Sequence, residues 1–129
     1  MALALARFER VVQREAQQHL ATRVTAIEHI GTYSCREMAA YPGWVSEHSY
    51  ANAIDIRGFT LRDGRTITIG RHYGRGPELG HDPKQRFLRA IATRLYREGI
   101  FSVVLTPRFD RAHAGHLHLD LARYRVDGT

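Results

Sequence analysis

The stretch Ala112-His113-Ala114-Gly115-His116-Leu117-His118-Leu119-Asp120-Leu121 decides how this chain is read. Three of the eight histidines fall within residues 113–118 of it. From His116 onward polar and apolar residues alternate. Successive side chains of a strand point to opposite faces. The pattern therefore predicts a strand over His116–Ala122, with Leu117, Leu119 and Leu121 on a buried face and His116, His118 and Asp120 on the other. A leucine face in the core with imidazoles lined up opposite is a wall on which a metal site can be built. Ordinary polar residues on an accessible strand face are the plain alternative.

A second stretch tilts the balance: Ser46-Glu47-His48-Ser49-Tyr50-Ala51-Asn52-Ala53-Ile54-Asp55. A catalytic zinc ion takes three protein ligands from His, Asp or Glu and keeps one position for water. His48, Asp55 and His118 form such a set. Two neutral imidazoles and one carboxylate leave the divalent ion with a net positive charge, so it stays Lewis acidic and can bring the pKa of a water down to ~7. Ala51 and Ala53 between the two donors are small enough for close backbone packing. Without the histidine strand, His48 reads as a surface histidine and Asp55 as a turn or ladder residue. Other hydrolase signatures are absent: no His-Glu-x-x-His, no Gly-x-Ser-x-Gly, no Gly-x-x-x-x-Gly-Lys phosphate loop and no zinc-deaminase pattern.

Working outward from the two stretches, the periodicity of Leu5, Phe8, Val11, Val12 and Ala16 predicts an amphipathic helix over Leu5–His19. Val24–Tyr33 is rich in Val, Ile and Thr and reads as a strand. Ser34–Ser46, with Pro42-Gly43 as a turn signal, reads as a loop with at most one helical turn. Ala53–Leu61 and Thr66–Gly70 read as strands joined by the hairpin turn Arg62-Asp63-Gly64-Arg65. Arg71–Asp82 has no apolar periodicity and reads as an exposed loop. Asp82-Pro83 opens a helix as cap and first residue. That helix carries Phe87, Leu88, Ile91, Ala92, Leu95 and Tyr96 on one side and stops at Gly99. Phe101–Leu105 reads as a buried strand and Pro107–Ala114 as a loop, while the tail Arg123–Thr129 carries no signal. The elements together predict an α+β fold, a small antiparallel sheet with helices on one face, in one domain over residues 1–129.

The 129 residues suffice for one core without covalent staples, and 43% hydrophobic with 25% charged residues is ordinary for a globular chain. A formal net charge of +6 and a pI near 10.1 favour anionic partners, among them nucleic acid, phospholipid headgroups and cell-wall polymers. Charge does not choose among these. No zinc-finger spacing, helix-turn-helix or RNA-binding aromatic motif accompanies it, so nucleic acid is not the expected partner. The lone cysteine, Cys35, excludes an intrachain disulfide and reads as an inert thiol. No stretch approaches the ~20 apolar residues of a membrane span, and Met1–Arg7 lacks the charged start and apolar run of a signal peptide.

Ser46-x-His48-x-x-Ala51-x-Ala53-x-Asp55 followed far downstream by His116-x-His118 resembles the paired motifs of the zinc D-alanyl-D-alanine peptidases and their relatives. Those include lysostaphin-type enzymes, murein endopeptidases and the Hedgehog signalling domain. Within that group the chain is most similar to the bacterial extensin-like C-terminal domain family. Gly31-Thr-Tyr-Ser-Cys-Arg36, 46–59, Asp63-Gly64-Arg65, Phe87-Leu88-Arg89 and 104–121 carry the likeness, over roughly residues 24–122. The resemblance implies a Hedgehog and D-Ala-D-Ala peptidase-like fold, with zinc held by His48, Asp55 and His118. It implies that His116 sits beside the metal against substrate or water, and that Arg36 anchors a substrate carboxylate or the oxyanion. The glutamate that often serves as general base is replaced by Gly115, and His113, five residues before the last ligand, takes that role as in murein endopeptidases. Ala51 stands where a glycine is usual, and the second cysteine common in the family is missing. The implied function is a zinc-dependent peptidase cleaving peptide cross-links or stem peptides of bacterial peptidoglycan, in the cell envelope or periplasm. The alternative is a catalytically silent, zinc-containing cell-wall-binding or signalling module, which the missing glutamate favours.

Overall fold

The computed structural model describes residues 1–31, 37–38, 41–45 and 52–129. Helix α1 (Ala2–Leu20) starts one turn earlier than its sequence pattern and buries Phe8, Val11, Val12 and Ala16 at the predicted spacing. It stops at Ala21, the one non-glycine residue with positive φ among the described residues (φ 51°). Strands β1 (Val24–Gly31), β2 (Glu37–Met38), β3 (Tyr41–Val45), β4 (Ala53–Leu61) and β5 (Thr66–Thr68) follow. Then come α2 (Ile69–His72), α3 (Pro83–Arg97), β6 (Val103–Leu105), a 3-10 turn (Arg111–His113), β7 (Leu117–Asp120) and β8 (Val126–Gly128).

The central strand is β4. β1 runs antiparallel along one side of it. On the other side β7 pairs with Ala53–Ile56, and β5 pairs with 58–60. Beyond β7 lie β6 and then β8, giving the order β1-β4-β7-β6-β8. Between Glu28 and His29 of β1 the partners on β4 step from Gly58 to Ile56, so Arg57 is an extra residue, a bulge. The bulge shifts the side-chain phase, which lets Ile54 and Ile56 before it and Phe59 and Leu61 after it all reach the core. Gly58 beside it is required by close approach: a Cβ there would meet the Ile67 carbonyl oxygen at 2.6 Å.

Helices α1 and α3 pack together over the face of the sheet that presents Ile54, Ile56, Leu117 and Leu119. Phenylalanines join the layers. Phe59 of β4 lies 6.5 Å from Phe8 of α1 and 5.3 Å from Phe87 of α3, ring centre to ring centre. The start of α3 is as its sequence indicates, with the Asp82 carboxylate accepting from the Lys84 N–H at 2.9 Å and Pro83 at the first position. Its end is marked by Gly99 at φ 65°.

Several expectations are corrected. The sheet is mixed rather than antiparallel, because β8, in the tail that carries no sequence signal, pairs parallel with β6. A three-residue strand is too short for periodicity to reveal; its partner selects it. Pro42-Gly43 lies inside β3, which pairs with β2 as a two-stranded ribbon, rather than marking a loop. Among the described residues β3 has that single neighbour, and a proline is tolerated in a strand with an edge. Ile69 and Gly70 belong to the short helix α2 and not to β5. There the Thr68 N–H donates to His72 Nδ1 at 3.0 Å, which closes the turn. Tyr73, read as part of an exposed loop, is buried. The guanidinium of the buried Arg89 explains the loop's course, donating to the carbonyls of Tyr73 at 3.1 Å and Gly76 at 2.9 Å.

A left-handed conformation costs an L-residue with a Cβ roughly 1–2 kcal/mol and glycine almost nothing. Ala21→Gly is therefore expected to raise the unfolding free energy by about 1 kcal/mol, read as a higher urea midpoint with an unchanged m-value; an unchanged or lower midpoint would contradict this account of the α1 terminus.

Candidate metal centre

The site begins with strand register. On β4 and β7, Asp55 stands directly opposite His118, Ile56 opposite Leu117 and Ile54 opposite Leu119. The leucines and isoleucines go to the core. Asp55 and His118 are therefore carried to the opposite face, where directly paired residues have their Cβ atoms ~5 Å apart. Asp55 Oδ1 lies 3.0 Å from His118 Nδ1. The other ring nitrogen of His118, Nε2, lies 2.8 Å from Asp120 Oδ2. His116, two residues before His118, places its Nε2 3.9 Å from the same Asp55 oxygen.

His113 arrives from outside the strand. Asp110 accepts hydrogen bonds from the His113 backbone N–H at 3.0 Å and meets its Nδ1 at 2.6 Å, capping the 3-10 turn that precedes β7. The turn folds back so that the His113 ring sits 5.0 Å from the His116 ring and 5.9 Å from the His118 ring, centre to centre. Phe109 lines the outer edge of His113 at 6.1 Å. The cluster is shielded without being sealed: the side chains of His113, His116 and Asp55 are 16%, 20% and 15% exposed. A cavity of about 350 Å³ among the described residues lies elsewhere, on the helix side of the sheet between α1 and β1, and takes no part in this cluster.

Of the residues predicted from sequence, Asp55, His113, His116 and His118 are brought together. His48 and Arg36 lie outside the described residues. Among the described residues no group of three or more His, Cys, Asp or Glu side chains has the spacing of a metal site. Two acidic residues were not predicted as site members. Asp110 had a readable signal, an Asp three residues before a His at a turn start, the pattern of a capping aspartate. Asp120 lies on the histidine face that the alternation predicts, but nothing in the sequence says that it is buried against an imidazole.

Carboxylate and imidazole are donor types that zinc accepts. The Asp55 and His118 donor atoms stand 3.0 Å apart, a hydrogen-bond distance, and would have to open to the roughly 3.4 Å that separates two donors ~2.1 Å from one tetrahedral zinc ion. Without a metal, both nitrogens of His118 face carboxylates. Burial works against the charged ring, but the hydrogen bonds to Asp120 and Asp55 and the charges of both outweigh it, so the ring is pushed up to about 9. For Asp110, partial burial acts against ionisation, yet the hydrogen bonds and charge of His113 hold its carboxyl below the usual aspartate value.

A family comparison now bears on this geometry. The model of the extensin-like protein C-terminus matches residues 1–128. The chain belongs to that family. The match takes in α1 and β8, which the motifs over residues 24–122 did not reach. No curated protein and no solved structure is significantly similar to this extensin-like chain. None of its described helices is long and apolar enough to cross a membrane.

The His118 shift sets a pH dependence for the metal-free protein. A folded-state value raised from 6.5 to about 9 gives stability that is fully present below about 6.5 and lost as pH rises through 9. The loss should approach roughly 3 kcal/mol, at ~1.4 kcal/mol per pKa unit. Urea unfolding of chelator-treated protein from pH 6 to pH 10 measures it, and His118→Gln should flatten the difference; an equally steep profile in that variant would assign the slope to another group.

Proposed function

We propose that this chain is a zinc-dependent peptidase of bacterial peptidoglycan, acting on peptide cross-links or stem peptides, with a Hedgehog and D-Ala-D-Ala peptidase-like fold. The observation that carries the reading is the direct opposition of Asp55 and His118 on β4 and β7, with the rings of His113 and His116 gathered beside them. A carboxylate and an imidazole from strands distant in sequence, flanked by two further imidazoles, supply both ligands and proton-transfer groups. The positive net charge of +6 suits an anionic cell-wall polymer in the cell envelope.

In this reading His48, Asp55 and His118 hold the metal. When bound, zinc supplies Lewis acidity for a scissile carbonyl and for an attacking water. The rest falls to the chain's own side chains. His113, held through Nδ1 by Asp110, is the proton acceptor, through Nε2. It takes the proton of the attacking water and returns it to the leaving amine. His116 orients that water or steadies the oxyanion, and Arg36 anchors a stem-peptide carboxylate.

A second reading, a zinc-containing wall-binding or signalling module without turnover, is favoured by Gly115, which stands where related peptidases carry glutamate. A Cβ added at Gly115 meets nothing within 4 Å, so the backbone there leaves room for the first atom of a side chain.

Zinc-loaded protein incubated with purified peptidoglycan should generate new amine termini, detected by mass spectrometry of the muropeptides. Asp55→Ala and His118→Ala should abolish them, and His113→Ala should lower the rate by about 10²–10⁴-fold, the usual contribution of a general base. Wild-type protein that retains zinc and binds glycan but releases no amine would select the silent module. A Gly115→Glu variant then separates the two further: turnover that appears only with the glutamate identifies a ligand-binding descendant of an enzyme, whereas an active wild type should gain little.

A further inference from the structure

We infer that Asp120 is a positioning residue of the metal centre, holding the His118 ring by Nε2 so that Nδ1 is the nitrogen offered to the metal. The inference rests on the zinc reading above and adds to it a residue and a tautomer.

Four observations converge. Asp120 is 3% exposed, an unusual place for a carboxylate unless it has partners. Its two oxygens are assigned: Oδ2 meets His118 Nε2 at 2.8 Å, and Oδ1 accepts from the Ala122 N–H at 3.0 Å. Its backbone is fixed as well, opposite Ala53 on β4 and Val103 on β6, with its carbonyl accepting from the Ser102 N–H at 2.9 Å. The carboxylate is therefore a rigid acceptor that cannot swing away from the ring. Finally, the nitrogen turned away from Asp120 is the one 3.0 Å from Asp55, the other described donor of the set.

A neutral imidazole has one N–H and one lone pair, and the partner of one nitrogen decides which is which. A fixed carboxylate at Nε2 takes the N–H there and leaves the lone pair on Nδ1. It also raises the basicity of that lone pair and prevents the ring from flipping. This is the arrangement in which a carboxylate behind a ligating histidine contributes 10–100-fold in metal affinity. An exposed partner would act weakly; this one is buried between strands.

The test uses full-length protein with zinc alone as the probe. Competition against a chromophoric chelator should give a dissociation constant for Asp120→Asn that is about 10–100-fold weaker than wild type, with Asp120→Ala weaker again. Correct folding is checked by circular dichroism before titration. A purely structural role would lower the unfolding midpoint of the apo protein yet leave zinc affinity of the folded form unchanged, and that result overturns the inference. A second measurement needs no variant. Nitrogen-15 shifts of zinc-loaded wild type should show His118 protonated on Nε2 and metal-bound through Nδ1; ligation through Nε2 overturns the inference while leaving the zinc reading intact. Wild type that takes up no zinc at all overturns both.

Discussion

The opposition of Asp55 and His118 depends on a single constraint, the register between β4 and β7. Side chains alternate with a period of two along a strand. Sliding β7 by one residue against β4 would bring Leu117 or Leu119 to the position across from Asp55 and turn the histidines into the core. Burial prevents this. Ile54, Ile56, Leu117 and Leu119 are all withdrawn from solvent beneath α1 and α3. Exposing even one such side chain costs about 1.5–3 kcal/mol. The hydrophobic face thus sets the register, and the register sets the polar face. The same four-residue strand supplies the core with two leucines and the cluster with His118 and Asp120.

The cluster itself is a set of charges brought close together. An imidazole between two carboxylates can be satisfied in two ways. It can hold both protons and become a cation, or it can keep the proton toward one carboxylate and give its other nitrogen to a metal. The metal-free arrangement corresponds to the first. Asp120, buried and bonded at both oxygens, is the fixed partner in either state. Were zinc bound as proposed, its binding and the release of a proton would be coupled through one ring, as they are wherever a ligand must lose a proton to coordinate.

His113 illustrates a different route to placement. It is not on the strand, and no sheet register reaches it. Asp110 caps the 3-10 turn and meets the His113 ring with the same oxygen, so one carboxylate both shapes the backbone and aims the side chain. Gly70 of α2 lies close to this loop: a Cβ on it would touch Gly115 Cα at 3.4 Å and the Ala114 carbonyl at 3.6 Å. The small helix that follows β5 therefore packs against the turn that carries the histidine.

Much of this was legible in the chain. The alternation from His116 placed the leucines inward and His118 with Asp120 outward, the Asp82-Pro83 signal placed the start of α3, and Asp63-Gly64 placed the turn between β4 and β5. These are local effects, written in the period of the side chains and in the dihedral limits of single residues. The rest is decided by contacts between segments far apart. β8 exists because β6 offers it hydrogen bonds, and the bulge at Arg57 exists because two apolar phases must reach one core. Asp120 becomes part of the cluster because two neighbouring strands bury it against His118. A sequence records which face a residue takes along its own strand; only the folded sheet decides which residue of another strand it meets, since that follows from the burial of both at once.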